Sequence, residues 1–393
     1  MRGSVIKRGK TWSVVVYMGR DPNSRKKRYQ WIKGGRTKKE AERKLAEVLH
    51  QVDQGSYVKP SKKTLGEFLI TWLETYASIS VRQRTYESYQ ERAAHIIDIM
   101  GNVPLSELKP QHLQHYYSTK MCSKRRDGKP GGLSSGTLIK HHNLLKQALG
   151  HAVKWGLLAR YVADAVDAPR VSRKEMRTLS VEETHRLLEA CDGTIWYPLF
   201  HTAIWTGLRR SELLGLRWKD LDLDFATLQV VQVMHQLKDG SRVFLEPKTV
   251  KSRRAVALSP SSCSVLRSHH KGQKALASHL GLSLGEEALV FAHPDGTPLA
   301  PASVTHAFSR ISRKCGIHGV RLHDLRHTHA SQMFKSGIHP KIVSEKLGHA
   351  SINITLDTYS HVLPGLQEAA ALRFDEGMAQ TSPQTTEVGV EVD

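Results

Sequence analysis

Residues 321 to 362 read RLHDLRHTHASQMFKSGIHPKIVSEKLGHASINITLDTYSHV, and this stretch constrains the fold more than any other. His323 and Arg326 are three residues apart, so on a helix they share one face and can enter one pocket. A second imidazole, His349, follows the turn-like Leu347-Gly348, and Tyr359 lies ten residues further on. Arginine carries a fixed fork of donors that matches phosphate oxygens. A tyrosine hydroxyl can act as nucleophile and hold a covalent intermediate. A fold that gathers these groups has the parts to break a phosphodiester.

Charge supports a polyanionic partner. The 393 residues include 58 lysines and arginines against 37 acidic residues, a net charge of +21. That excess suits nucleic acid; the competing reading is a merely soluble basic surface. The chain is long enough for two or three domains with their own cores. It has no apolar run of the roughly eighteen residues that would span a bilayer. The N-terminal MRGSVIKRGKTW lacks the apolar stretch of a signal peptide, so a cytoplasmic protein is expected. Cys122, Cys191, Cys263 and Cys315 are scattered without a C-x-x-C pair, which suggests reduced thiols and no cysteine zinc site.

HDLRHTHAS followed by LGHASINITLDTYSHV resembles the second conserved box of the tyrosine recombinases, the phage integrase family. TGLRRSELLGLRWKDLD, residues 206 to 222, resembles the first. The resemblance is specific over residues 175 to 365 and looser before them. It implies a multidomain α+β chain: a small N-terminal β-sheet plus helix module, an all-α core-binding bundle, and a mainly α catalytic domain with a small antiparallel β-sheet.

In chain order, the first 45 residues carry fifteen basic and three acidic side chains. TWSVVVYMG (11–19) and KRYQWIKG (27–34) read as strands around a turn at Asp21-Pro22-Asn23-Ser24. A helical pattern runs from Thr37 to a stop at Gly55. Trp12, Tyr17, Tyr29 and Trp31 favour a folded sheet, as core or as base contacts. Residues 1–58 thus resemble an arm-type DNA-binding module. A linker at 57–63 leads to four helical patterns, which make 63–166 resemble the core-binding domain. Within it, 124–136 is glycine-rich, basic and expected to be a mobile loop.

A second boundary at 162–177 carries Arg170, Arg173, Lys174 and Arg177. The catalytic domain is expected over 175–378, opening with Ser180 as N-cap and Glu183 completing a capping box. The segments around 222–233 and 241–259 read as strands of one small sheet, joined near Lys238-Asp239-Gly240. Residues 379–393 close the chain as a flexible acidic tail.

For the chemistry, either Arg209 or Arg210 can meet phosphate on residue type alone; the motif resemblance selects Arg209. Glu212, three residues on, is read as its support, against a surface helix charge. The resemblance places the lysine at Lys248, a general acid for the leaving 5′ oxygen, with Lys251 as neighbouring competitor. Arg326 would join Arg209 on the nonbridging oxygens. His323 would orient or deprotonate Tyr359 or bind the phosphate, and His349 would donate to the same oxygens. Tyr359 would attack the phosphate to give a 3′-phosphotyrosyl bond and a free 5′ hydroxyl. His327 and His329 are read as local helix contacts. Because each transesterification conserves the bond, the resemblance implies no cofactor and no essential metal. A zinc site built on the H-x-x-x-H pair of His323 and His327 is the rival, opposed by Asp324 in the place of glutamate and by the adjacent Arg326.

The implied partners are double-stranded attachment-site DNA, core and arm-type, and three further copies of the chain in a homotetramer on two duplexes. The resemblance leaves room for DNA-bending or directionality factors, and puts the work at the nucleoid of a bacterial host. An arm module favours an integrase of a phage or conjugative element over a chromosome-dimer resolvase. A type IB topoisomerase-like enzyme and a non-catalytic DNA-binding regulator are the alternatives. The segment 364–373 is a candidate for docking on a neighbouring protomer.

Overall fold

The structure, a computed structural model, describes residues 3–21, 24–53, 62–125, 128–171, 176–359, 371–372, 374–376 and 378. The turn residues Pro22 and Asn23, the helix stop at Gly55, most of the 57–63 linker, and Arg173 and Lys174 lie outside them. So do the acidic tail 379–393 and all but two residues of 364–373. The chain divides into two compact units, Met1–Arg173 and Lys174–Asp393.

Alternation drives the N-terminal sheet. In β2 (Thr11–Arg20) Val14 and Val16 point to one face and are fully buried against Ala41 and Val48 of α1 (Lys38–Asp53). Opposing faces along a strand follow from its period of two. β2 pairs antiparallel with β3 (Lys27–Gly35) and also with β1 (Gly3–Arg8), a strand the sequence reading did not mark. β1 is almost wholly exposed, so it carries no apolar alternation to betray it. It closes on β2 through Gly9, whose φ of +59° suits a two-residue hairpin. Thr37 and Glu40 cap α1 reciprocally: Glu40 accepts from the Arg36 and Thr37 amides, and Thr37 accepts from the Glu40 amide.

The helical patterns that follow form a bundle. It comprises α2 (Leu65–Trp72), a π-turn at Leu73–Ala77, α3 (Ser78–Ser80), α4 (Gln83–Met100), α5 (Pro110–Cys122) and α6 (Ser135–Lys154). Its core holds Phe68, Trp72, Ile96, Tyr116 and Leu145, all with no exposed surface. Two buried tyrosines pair with histidines: Tyr116 Oη lies 2.7 Å from His141 Nδ1, and Tyr117 Oη 2.9 Å from His142 Nδ1.

The second unit opens with α7 (Val181–Glu189), capped by Ser180 and Glu183 as the sequence suggests. α8 (Trp196–Thr206) and the short α9 (Arg210–Leu213) follow, then β4 (Leu221–Asp222), β5 (Thr227–Val230), β6 (Val233–Gln236), β7 (Arg242–Leu245) and β8 (Arg254–Ala257). The expected single sheet is two: β4-β5-β8, and a separate hairpin of β6 and β7. The division falls between Leu245 and Arg254, where Pro247 has no N–H for a ladder and a 3-10 turn forms at Val250–Ser252. Helices complete the unit: α10 (Pro260–His279), α11 (Pro301–Lys314), α12 (Asp324–Lys335), α13 (Pro340–Leu347) and α14 (Ile352–Tyr359). α8 is buried on nearly all sides in this core, and α12 packs against it. Among the described residues no helix is long and apolar enough to cross a membrane, and the four cysteines are free thiols.

Candidate active site

The site begins where α8 stops. Gly207 takes the left-handed conformation, φ +66° and ψ +20°, and ends the helix. Arg209 then becomes the N-cap of α9, and Glu212 receives its amide at 2.9 Å and its guanidinium Nη1 at 2.7 Å. The neighbouring Arg210 turns away and donates to the Pro301 carbonyl at 3.2 Å and Thr305 Oγ1 at 2.6 Å. Arg209 faces the cleft and Arg210 ties α9 to α11.

Three arginines meet the C-terminus of α13. Its last carbonyls have no partner within the helix and form the negative end of its dipole. Arg254 Nε donates to the Lys346 carbonyl at 2.6 Å, Arg326 Nη2 to Leu347 at 2.6 Å, and Arg209 Nη2 to Gly348 at 3.4 Å. Arg326 also donates to the Gly207 carbonyl at 2.7 Å, so one guanidinium fastens the ends of two helices. Gly348, with φ +66°, terminates α13 against Arg254; a Cβ there would lie 2.9 Å from Arg254 Nη1. Glu212 bridges Arg209 and Arg254. Burial pushes its carboxyl up, but Arg254 and then Arg209 outweigh that and hold it below the usual range. Burial, with Arg209 adding to it, pushes the Arg326 guanidinium down to about 9, still protonated at neutral pH. Three cations over one carboxylate leave the site an anion trap.

α12 and α14 bring imidazoles and a phenol to the cleft. His323 is the N-cap of α12, and Arg326 follows one turn on. Tyr359, at the last described position of α14, is 2% exposed and packs on Phe334, Val343 and Leu347. Its hydroxyl lies 2.6 Å from Nδ1 of His327, so the imidazole on the phenol belongs to His327 and not to His323. Burial pushes the Tyr359 phenol up to about 12, with Arg326 pulling the other way. His349 Nδ1 is 2.6 Å from Thr355 Oγ1, and burial, then Arg326 and Arg209, press it down to about 4.

Arg209, His323, Arg326, His349 and Tyr359 line one cleft of about 340 Å³, together with His327, Thr249 and Ser252. Of the six expected residues only Lys248 is not in its wall; it is exposed on the β7–β8 connection, one residue before Thr249. Lys251, the competitor, donates to the carbonyl of Ala350, which does line the cleft.

The zinc alternative gains nothing here. The rings of His323 and His327 stand edge to face, 5.1 Å between centroids, and Nδ1 of His327 is engaged by the phenol. Among the described residues no cluster of three or more histidine, cysteine, aspartate or glutamate side chains is placed to hold a metal. The sequence reading made His327 a local helix contact and gave Arg254 no place in the site, yet both belong to it. His327 had its signal in the four-residue step from His323, which keeps both on one helix face. Arg254 carried no such signal, because its partners lie 42 and 92 positions away.

Three family models match in chain order: an arm DNA-binding domain over residues 4–52, a phage integrase N-terminal SAM-like domain over 64–121, and the phage integrase family over 177–365. A tyrosine recombinase XerC-like protein of Caldanaerobacter subterraneus is 32% identical over 381 residues, covering 91% of this chain and 94% of that one. Among solved structures, the Tn1549 transposon integrase in complex with a circular intermediate DNA superposes with a TM-score of 0.67 at 20% identity, covering 79% of this chain and 99% of the other. A lambda integrase tetramer bound to a Holliday junction gives 0.56 at 19% identity, covering 89% and 92%.

Proposed function

Because the chain belongs to the phage integrase family of tyrosine recombinases, which are site-specific DNA recombinases, we propose that Tyr359 is its nucleophile and the cleft around it the strand-exchange site. One observation carries the reading. Arg209, from one end of the catalytic unit, and Tyr359, 150 positions later, converge on one cleft with Arg326 and three imidazoles. A phosphodiester seated there meets two guanidiniums on its nonbridging oxygens, with His349 beside them. Tyr359 attacks phosphorus, the 5′ oxygen leaves, and a 3′-phosphotyrosyl bond holds the strand until a 5′ hydroxyl of the partner duplex reverses the step. His323 adds a hydrogen bond to the phosphate, and the leaving oxygen takes its proton from a lysine of the β7–β8 connection.

The reading extends to the rest of the chain. The sheet face turned away from α1 carries Arg8, Tyr29, Trp31 and Lys33, with Arg8 4.3 Å over the Trp31 ring. Such a basic, aromatic face suits the arm-type sites of an integrating element. The helical bundle would take part of the core site, and four copies would act on two duplexes, in the cytoplasm of a bacterial host. DNA-bending or directionality factors would set integration against excision.

A trapping assay tests this. Wild-type and Tyr359→Phe proteins are incubated with nicked DNA spanning the element's junction, in EDTA without ATP, then denatured. We expect a wild-type adduct whose peptide maps to Tyr359 and none from the variant. Retarded DNA without any adduct, once a cleavable junction is in hand, would leave a binding protein in place of a recombinase.

A further inference from the structure

We propose that His327 takes the phenolic proton of Tyr359 as the tyrosine attacks phosphorus, and returns it when the strand is rejoined. The inference rests on the reading of Tyr359 as nucleophile. Its ground is geometric: Nδ1 of His327 lies 2.6 Å from the Tyr359 hydroxyl, and the two rings are tilted at 51° with centroids 5.7 Å apart. A base must stand within hydrogen-bond reach of the proton it removes, and His327 meets that condition before DNA arrives.

Its surroundings suit the role. From its own helix and the turn before it, His323, Asp324, Arg326 and Arg321 act on the ring electrostatically; from α14 it meets Tyr359, and across the cleft His349, beyond the end of α13, also faces it. Burial, then His323, presses the imidazole down to about 4, so it is neutral at physiological pH and has a lone pair to offer. A neutral ring that accepts the phenolic hydrogen at Nδ1 carries its own hydrogen on Nε2. The anionic scissile phosphate, once seated beside Arg209 and Arg326, favours the imidazolium and lifts its basicity toward the working pH.

The step balances without a further reactant. The Oη–H bond breaks and its proton passes to Nδ1 while the Oη–P bond forms. The P–O5′ bond breaks with its electron pair on O5′, which is protonated from the lysine-bearing connection. On rejoining, the incoming 5′ hydroxyl loses its proton there, and the imidazolium reprotonates Oη as the phosphotyrosyl bond opens.

The test uses full-length protein and a nicked substrate with a 5′-bridging sulfur at the scissile position. That leaving group needs no proton, so the adduct rate reports nucleophile activation. His327→Asn keeps an acceptor near the position of Nδ1 but cannot carry the proton. We expect adduct formation to slow by about 10²–10³-fold. The wild-type rate should be nearly flat in pH above neutrality, whereas the variant's should climb tenfold per pH unit as solvent hydroxide takes over. Replacing Tyr359 by a fluorinated tyrosine of lower pKa should recover most of the variant's loss. A His327→Asn protein that melts like wild type, keeps the flat profile and gains nothing from the fluorinated residue overturns the inference. So does a His323→Gln protein that alone acquires the steep profile. Absence of adduct from wild type itself would remove the nucleophile assignment and, with it, this role.

Discussion

Arg254 and Glu212 form a buried ion pair: Arg254 Nη2 donates to Glu212 Oε2 at 3.0 Å, and the two side chains are 7% and 3% exposed. The pair joins the first strand residue after the lysine-bearing connection to the helix that follows Arg209. Arg254 also holds the Lys346 carbonyl, so the same guanidinium sets the end of α13 from which His349 emerges. A buried charge that loses its partner is expensive, whereas a matched apolar replacement of both can be nearly neutral. Glu212→Ala is therefore expected to lower unfolding free energy by about 3–5 kcal/mol. The double variant Glu212→Leu with Arg254→Met should recover most of that loss in a urea titration yet remain inactive in strand cleavage. An active double variant would mean that the pair serves stability alone.

Gly207 supports a second prediction. At φ +66° a side chain is strained, and a Cβ would fall 2.7 Å from His329 Cδ2 and 2.8 Å from Leu347 Cδ2. Gly193 has nearly the same φ, +68°, with open space around it. Gly193→Ala should cost about 1 kcal/mol, the left-handed penalty alone. Gly207→Ala should cost at least about 2 kcal/mol, since a packed neighbour must also shift. It should slow cleavage as well, because the Gly207 carbonyl is the acceptor that holds Arg326. Equal melting temperatures for the two variants would contradict this.

A third prediction concerns acid. His141 is 2% exposed and faces Tyr116 of α5 at 2.7 Å. Burial, then the positive fields of His95 and Arg92 on α4 and Lys120 on α5, depresses it from the ordinary 6.5 to about 4. The unfolded chain thus binds a proton there between pH 6.5 and 4 that the folded chain refuses. Stability from this group is complete above pH 6.5 and is lost as pH falls toward 4, by about 3 kcal/mol in all. Melting of the full-length protein should fall over that window, and a His141→Phe variant should lose part of the slope. An unchanged slope would place the acid sensitivity elsewhere.

Much of this architecture was legible because its causes are local. The capping box of Ser180 and Glu183 and the valine alternation of β2 are written in adjacent residues, and the structure realises both. Choosing Arg209 over Arg210 needed the motif resemblance, since adjacent arginines look alike until one finds Pro301 and Thr305. The rest depended on long-range closure. That Arg209 and Arg254 would join Arg326 at the end of α13 follows from packing between segments 92 and 139 positions apart, which no local period encodes. The break between β7 and β8 was written in Pro247, but the basic, β-branched flanks hid it.

The lysine of the β7–β8 connection remains to be chosen by chemistry. Lys248 is exposed and precedes Thr249, which forms part of the cleft wall; Lys251 already reaches the Ala350 carbonyl at 2.8 Å. A general acid must reach the leaving oxygen when DNA is bound, and an ammonium on an exposed connection can move to it, whereas one anchored to a carbonyl must first let go. We therefore expect Lys248→Ala to slow cleavage of ordinary DNA by about 10²–10³-fold and Lys251→Ala to have a smaller effect. The decisive comparison is a substrate with sulfur at the 5′-bridging position, where the leaving group needs no proton. If Lys248 is the acid, its variant should cleave that substrate at nearly the wild-type rate. Recovery by the Lys251 variant instead would transfer the role three residues along. A Lys248 variant that stays slow on both substrates would show that the side chain grips DNA and donates no proton.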